Sequence, residues 1–549
     1  MRRVVFGVSV AAALAIASVA AATPPPTPIV YEISPVFETG ALKEIAVALR
    51  FQTDASGVTR LELPHRNMSR SELWRGLRGL GAEGARLEGD DAERVVRSKP
   101  GARVTVRYRI VSSLDHEPTD TDGYPEAPWI RPDWFFIDGA SALATVEGRE
   151  GAATTLVWRN WPAGFGHASN LDGRTGFDPT RGLLIGGRDL RVVSRGPVRL
   201  AIRGRHAFAD ATLAADLAGI VAIERAFFRD DPTTPYFVAA SSSAPGAAQA
   251  FSGVGKADAF AMIATQGMTL ADLRAYLAHE IFHGWNPVRL GRPIGPEGYW
   301  ISEGFTDFYA RRLMRRAGLT SSARFADAWN DMFRAYGVSS ARTMGGAEAA
   351  KAFWSDPDAE RIPYQRGAML AALWDWRLRQ EGKSLDAVIR AQAEAFREQP
   401  DAPLTDLFVA TMAKAGVDVG ADVARYIDRG EAIDLPGAVF APCGTLETVT
   451  VPSFELGFEP RPGADGLLWV TAIKPDSAAF RAGLRDGMVI VRKVSGSSGD
   501  STRPYDLIVR SADGERRINF LPRGAGTARY QTLTLDPAAP ATACDFLDG

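Results

Sequence analysis

Histidine and cysteine are scarce in this 549-residue chain, at six and two residues. Two cysteines exclude a disulfide-dense scaffold and a cysteine-rich metal array. Neither sign of charge dominates: 63 Lys and Arg stand against 65 Asp and Glu, a formal net charge of −2. That balance lacks the basic footprint of a duplex-binding protein, so nucleic acid is not expected as a partner. Beyond the first 22 residues no apolar run is long enough to cross a bilayer, so no membrane span is expected in the mature chain. What remains is an ordinary globular composition, 46% hydrophobic and 23% charged. At roughly 150 residues per domain, the length suggests three or four domains.

Arg2 and Arg3 precede an apolar, small-residue run over residues 4–22, which ends in Ala20, Ala21 and Ala22 before three prolines. This reads as a signal peptide, residues 1–22, cleaved on export to the periplasm or outside the cell. In an oxidising compartment Cys443 and Cys544 are expected to form a disulfide.

Residues 29–200 alternate apolar and polar with period two, as in residues 44–51, 103–111 and 198–202. They read as a β-rich domain, an antiparallel sandwich. From about 201 to 440 the pattern becomes mostly helical. Within it, residues 211–228 form a helix, 236–240 and 259–265 short strands, and the Gly, Ala and Ser stretch 241–255 a loop. Residues 445–540 return to short strands and turns. The expected fold class is therefore multidomain α+β.

The chemistry concentrates in residues 269–284. Thr269 suits an N-cap with Asp272 at the box position, and Leu270, Leu273 and Leu277 repeat on one face. On this helix His279 and His283 are four apart, so both rings point the same way and can share one zinc. Glu280 lies between them, placed as the base for the attacking water. A catalytic zinc takes three protein ligands and keeps one position open. Glu303, 20 residues after His283, opens a second helix with Ser302 as its cap and can supply the third. Asp307, one turn on, faces the same side and can hold a ligand histidine through its other nitrogen. The expected cofactor is one zinc ion per chain.

These residues resemble a known group. The His279–His283 motif followed by Gly284, Trp285 and Asn286, then Trp300, Glu303 and Gly304, is similar to the glycyl aminopeptidase family of gluzincin zinc peptidases. The resemblance implies an N-terminal β domain, a thermolysin-like catalytic domain and a C-terminal PDZ domain. It implies His279, His283 and Glu303 as zinc ligands, Glu280 as general base, and peptides with small N-terminal residues, Gly or Ala, as substrates. Residues 362–367 are similar to the Pro-Tyr-x-Lys-Gly motif of the related alanyl aminopeptidases, which makes Tyr364 the oxyanion donor, with Pro363 in the first turn of its helix. One departure stands out: family members carry a Gly-Gly-Leu-Glu-His-like segment upstream of the zinc helix, and residues 247–256 here hold neither Glu nor His.

The C-terminal residues 454–490 resemble a PDZ domain. Leu456, Gly457 and Phe458 match the loop whose N–H groups bind a protein C-terminus while peptide adds as a strand. Residues 495–502 read as a flexible insertion. Three functions remain open: an exported zinc aminopeptidase, an endopeptidase that captures protein C-termini or internal peptides through the PDZ domain, and a catalytically idle PDZ scaffold.

Overall fold

The computed structural model describes residues 28–119, 122–149, 152–244, 250–463 and 467–544. The signal-peptide reading of residues 1–22 and positions 247–249 of the upstream segment lie outside the described residues. No helix among those described is long and apolar enough to cross a membrane.

The N-terminal part holds three larger sheets and a two-stranded one, Arg66–Asn67 with Arg70–Ser71, among the described residues. In the largest, Thr154–Trp158, Ile29–Glu38, Ala41–Gln52, Arg103–Val111 and Leu77–Glu83 lie side by side. All its pairs are antiparallel except the outermost, where Ile29–Glu38 runs parallel to Thr154–Trp158. A second sheet orders Thr145–Val146, Val58–Glu62, Glu93–Arg97 and Arg86–Glu88. The third orders Trp129–Arg131, Trp134–Asp138, Leu183–Gly187 and Gly166–Ser169, and it packs against the sheet that follows.

That meeting corrects the expected boundary at residue 200. Arg191–Arg195 and Val198–Ile202 do not close the N-terminal domain. They begin a five-stranded sheet that continues with Tyr236–Ser243, Ala259–Thr265 and, at its edge, Phe251–Lys256. The central strands Val198–Ile202, Tyr236–Ser243 and Ala259–Thr265 are parallel. A strand covered on both faces becomes a continuous apolar run, which is how residues 236–240 read before three buried serines. Phe237, Ala239 and Ala261 pack against Trp134, Phe136 and Ile185 of the third N-terminal sheet. Their neighbours Tyr236, Val238 and Phe260 pack on the other face against helices Asp210–Phe228 and Leu270–Phe282.

The stretch 241–255 is likewise not one loop. The central strand runs to Ser243, and Phe251–Lys256 is a strand antiparallel to Ala259–Thr265. Its glycines mark a close approach: a Cβ on Gly255 would lie 2.4 Å from the carbonyl oxygen of Glu280. The absent side chain lets the edge strand rest on the His-bearing helix.

Behind the sheet lies a helical body: Gly304–Arg316, Ser322–Val338, Pro357–Gln380, Leu385–Glu398 and Leu404–Lys414 around one aromatic-rich core. A two-stranded ribbon, Gly444–Phe454 with Arg523–Leu535, leads out to a five-stranded antiparallel sheet spanning Glu459–Pro462 to Gly514–Phe520, which has its own small core. Cys443 and Cys544 are disulfide-bonded. Both lie in the helical core with Leu446 and Leu533, so the base of the ribbon belongs there rather than to a unit starting at 445. Residues 495–502 are not a loose insertion. Asp500 and Ser501 are buried, Asp500 pairs with Arg334 at 3.4 Å, and Ser501 Oγ donates to the Pro452 carbonyl at 2.5 Å.

Candidate metal centre

The helix Leu270–Phe282 starts as its sequence dictates, with the Thr269 N–H donating to Asp272 Oδ2 at 3.2 Å. Its apolar residues Leu273, Leu277 and Ile281 face the sheet. That fixes the rotation of the helix and turns His279 and His283 away from the sheet.

Glu303 arrives differently from expectation. Tyr299–Ser302 is a short helix of its own, and Glu303 sits at the break before Gly304–Arg316, so Ser302 ends one helix rather than capping the next. The break lets the Glu303 side chain turn back to the histidines. Glu303 Oε2 lies 3.3 Å from His279 Nε2 and 3.2 Å from His283 Nε2, and the two nitrogens are 3.1 Å apart. Tetrahedral ligands at ~2.0–2.1 Å from a zinc ion stand ~3.3 Å from one another. The triangle therefore has the size of three zinc ligands, and these three residues form a potential metal group among the described residues.

The far nitrogens complete the argument. His279 Nδ1 is 2.9 Å from Asp307 Oδ1, and His283 Nδ1 is 2.8 Å from the Asn286 carbonyl. With Nδ1–H donating to these acceptors, each Nε2 lone pair faces the centre. Arg311 holds Asp307 from behind at 2.9 Å. Burial alone would raise Asp307, but Arg311 and His279 outweigh it and hold its carboxyl at about 2. Burial also works against a charged His279, yet Asp307 and Glu303 prevail and lift the ring to about 10. The pocket is thus built to hold positive charge. Two nitrogens and a carboxylate oxygen, closely spaced and largely buried, suit zinc.

Asn286 is a residue that sequence reasoning passed over except as part of a motif. It is fully buried, and its amide donates to the carbonyls of Ile301 and Ser302 and to Thr306 Oγ1. One side chain thereby ties the loop behind His283 to both segments flanking Glu303. Tyr276 is another: it lies against Phe251 of the edge strand, and burial together with the Glu280 charge raises its hydroxyl.

Tyr364 lies in a longer helix than expected. Pro357–Gln380 begins at Pro357, capped by Asp356, so Pro363 is inside the helix and not at its start. The Tyr364 ring stacks 6.0 Å from that of His279. Its placement depends on glycine: a Cβ on Gly367 would lie 1.7 Å from the Trp300 carbonyl oxygen. The Tyr helix and the Glu303 segment meet backbone to backbone. Leu456, Gly457 and Phe458 lie far off in the C-terminal unit, where Phe458 is a core residue and Gly457, at φ 80°, packs on Ser477.

Among solved structures, the fold is that of an aminopeptidase N family protein from Idiomarina loihiensis, with a TM-score of 0.65 over 95% of this chain and 100% of that one at 16% identity. An M1 zinc metallopeptidase from Deinococcus radiodurans is also similar, at TM-score 0.46 and 13% identity over 75% of this chain and 96% of that one. No curated protein sequence matches the chain. The fold, the His-His-Glu cluster and the family match below together support a zinc metallopeptidase of the aminopeptidase type. Residues 272–362, which carry the metal cluster, match the family model of the M61 glycyl aminopeptidases.

Proposed function

We propose that the chain is an exported aminopeptidase that removes small N-terminal residues, with one zinc ion held by His279, His283 and Glu303. The observation that carries this reading is the convergence of those three donor atoms beside Glu280 and Tyr364. Zinc, when bound, polarises the scissile carbonyl and makes water acidic enough to attack near neutral pH. Glu280 takes the proton of the attacking water and returns it to the leaving amine. Tyr364 donates a hydrogen bond to the oxyanion. Burial first, then Glu303 and Asp307, raise its hydroxyl, which keeps it a proton-bearing donor at working pH.

Asp307 and the Asn286 carbonyl orient the two imidazoles and set their tautomers. The preference for Gly or Ala rests on family resemblance, and export on the first 22 residues together with the disulfide. In the C-terminal unit, the Leu456–Gly457–Phe458 loop and the edge strand Glu459–Pro462 are the proposed docking place for protein C-termini, by strand addition.

An endopeptidase is the second reading, and it has one observation in its favour: the described edge strand beside the metal centre carries no carboxylate for a substrate amino group. Blocking the amino end of a peptide panel separates the two. The aminopeptidase stops cutting when the amine is acetylated and loses all activity to a chelator. Unchanged cleavage of blocked peptides sinks the exopeptidase reading, and activity that survives metal removal sinks both.

A further inference from the structure

An aminopeptidase has to hold a cationic amino terminus beside the bond it cuts, and an ammonium drawn into a half-buried cleft needs a carboxylate. Three acids at the metal centre are already engaged, and a fourth, Glu224, which bears on His279, is fully buried and out of a substrate's reach. Glu303 faces both imidazoles, and Asp307 is shared by His279 and Arg311. Glu280 is the base. On the edge strand the one charged residue is Lys256, the wrong sign for an ammonium, and it is paired to Asp138 at 2.9 Å. Asp138 also accepts from the Tyr124 hydroxyl at 3.0 Å and the Ala140 N–H at 3.1 Å.

The helix Pro357–Gln380 supplies what the strand does not. Glu360 stands four residues before Tyr364. Residues four apart on a helix share a face, with Cβ atoms about 5–6 Å apart. Tyr364 is turned toward His279, so Glu360 flanks the same cleft one turn further out. Its charge is felt by the Tyr364 hydroxyl. Glu360 is exposed, whereas the neighbouring Arg361 acts on Asp358.

We propose that Glu360 receives the α-ammonium of the substrate and makes the cleft selective for peptides with a free amino end. This rests on the aminopeptidase reading above. One helix then sets both ends of the first residue: Tyr364 at its carbonyl and Glu360 at its amine.

The test uses binding, so that turnover does not confuse it. In a Glu280→Gln background, the dissociation constants of a short alanine peptide and its N-acetylated twin are compared by calorimetry, with zinc content measured alongside. The expected parent prefers the free amine by about 10- to 100-fold, the range of a hydrogen bond to a charged group. Adding Glu360→Gln removes the preference, and Glu360→Asp restores part of it. If the parent prefers the free amine and Glu360→Gln keeps that preference, Glu360 is overturned and the aminopeptidase reading stands. If the parent shows no preference at all, that reading fails and Glu360 falls with it.

Discussion

The helix Gly304–Arg316 carries two buried charge clusters on neighbouring faces, and they are built on opposite principles. On one face Arg312 lies between Asp375 at 3.2 Å and Asp386 at 3.3 Å. Arg316 takes the second oxygen of Asp386 at 2.9 Å, and Arg379 that of Asp375 at 3.2 Å. Every carboxylate there has a guanidinium from the chain itself. On the other face Arg311 pairs with Asp307, while Glu303 and two imidazole nitrogens face a common centre. A balanced cluster pins helices together. One short of a cation, closed around a triangle of donors, is a binding site. Adjacent residues, Arg311 and Arg312, serve the two purposes.

The comparison breaks most visibly at a ligand. Replacing His283 by Ala leaves two ligands, so we expect zinc to be lost on dialysis and activity to fall to background, while the fold is kept because the edge of the site is partly open. Elemental analysis with a peptidase assay checks this, and a variant that retains stoichiometric zinc contradicts it. Arg312→Met should do the reverse. It takes the central guanidinium from two buried carboxylates, each of which keeps one arginine, so the loss should be about 3 kcal/mol or less. Denaturant unfolding should show that loss while the folded fraction still binds zinc. If zinc affinity fell and stability did not, the division of labour between the two faces would be wrong.

A smaller step sharpens the contrast. Asp307→Asn keeps the shape and removes the charge behind His279, and such outer partners are worth about 10- to 100-fold in metal affinity. Competition with a chromogenic chelator measures it, with thermal stability as the control that should move little. Equal affinity in variant and parent would reduce Asp307 to a packing residue.

How much of this was legible in the sequence follows from what kind of contact each residue makes. The His helix was readable because its cap, apolar repeat and ligands are all local. Glu303 and Asp307 were readable because helical spacing carries them to the same face. Asn286 holds His283 through its backbone carbonyl, which leaves no side-chain signature, so only its buried amide hints at the role. The edge strand Phe251–Lys256 reads as loop in the sequence because glycine weakens a strand signal, when here its absent side chains admit the helix backbone. Arg191–Arg195 and Val198–Ile202 had the right period and the wrong home. Pairing with Tyr236–Ser243 across a helix is a non-local fact that alternation does not encode. At Pro357 the Asp-Pro start signal is present, but the more conspicuous Pro363 points to a start at Ile362, five residues late.

The finest distinction between the two clusters is their response to acid. The guanidiniums of the balanced one stay charged throughout the accessible range. In the metal cluster, His279 without zinc is raised to about 10, and His283 is raised as well, by Glu303 against the opposing effect of burial. At pH 7 to 8 the metal-free site therefore holds a proton that zinc has to displace. The sign is fixed: affinity rises with pH, by about tenfold per unit while one proton is released, and levels off once the pH passes the ring's own value near 10. Asp307→Asn should flatten this slope near neutrality, because removing the carboxylate lowers the ring. Zinc affinity measured from pH 6 to 9 in parent and variant reads it directly. A parent whose affinity is flat over that range would mean that His279 carries no proton to lose, and that the cluster is not short of positive charge after all.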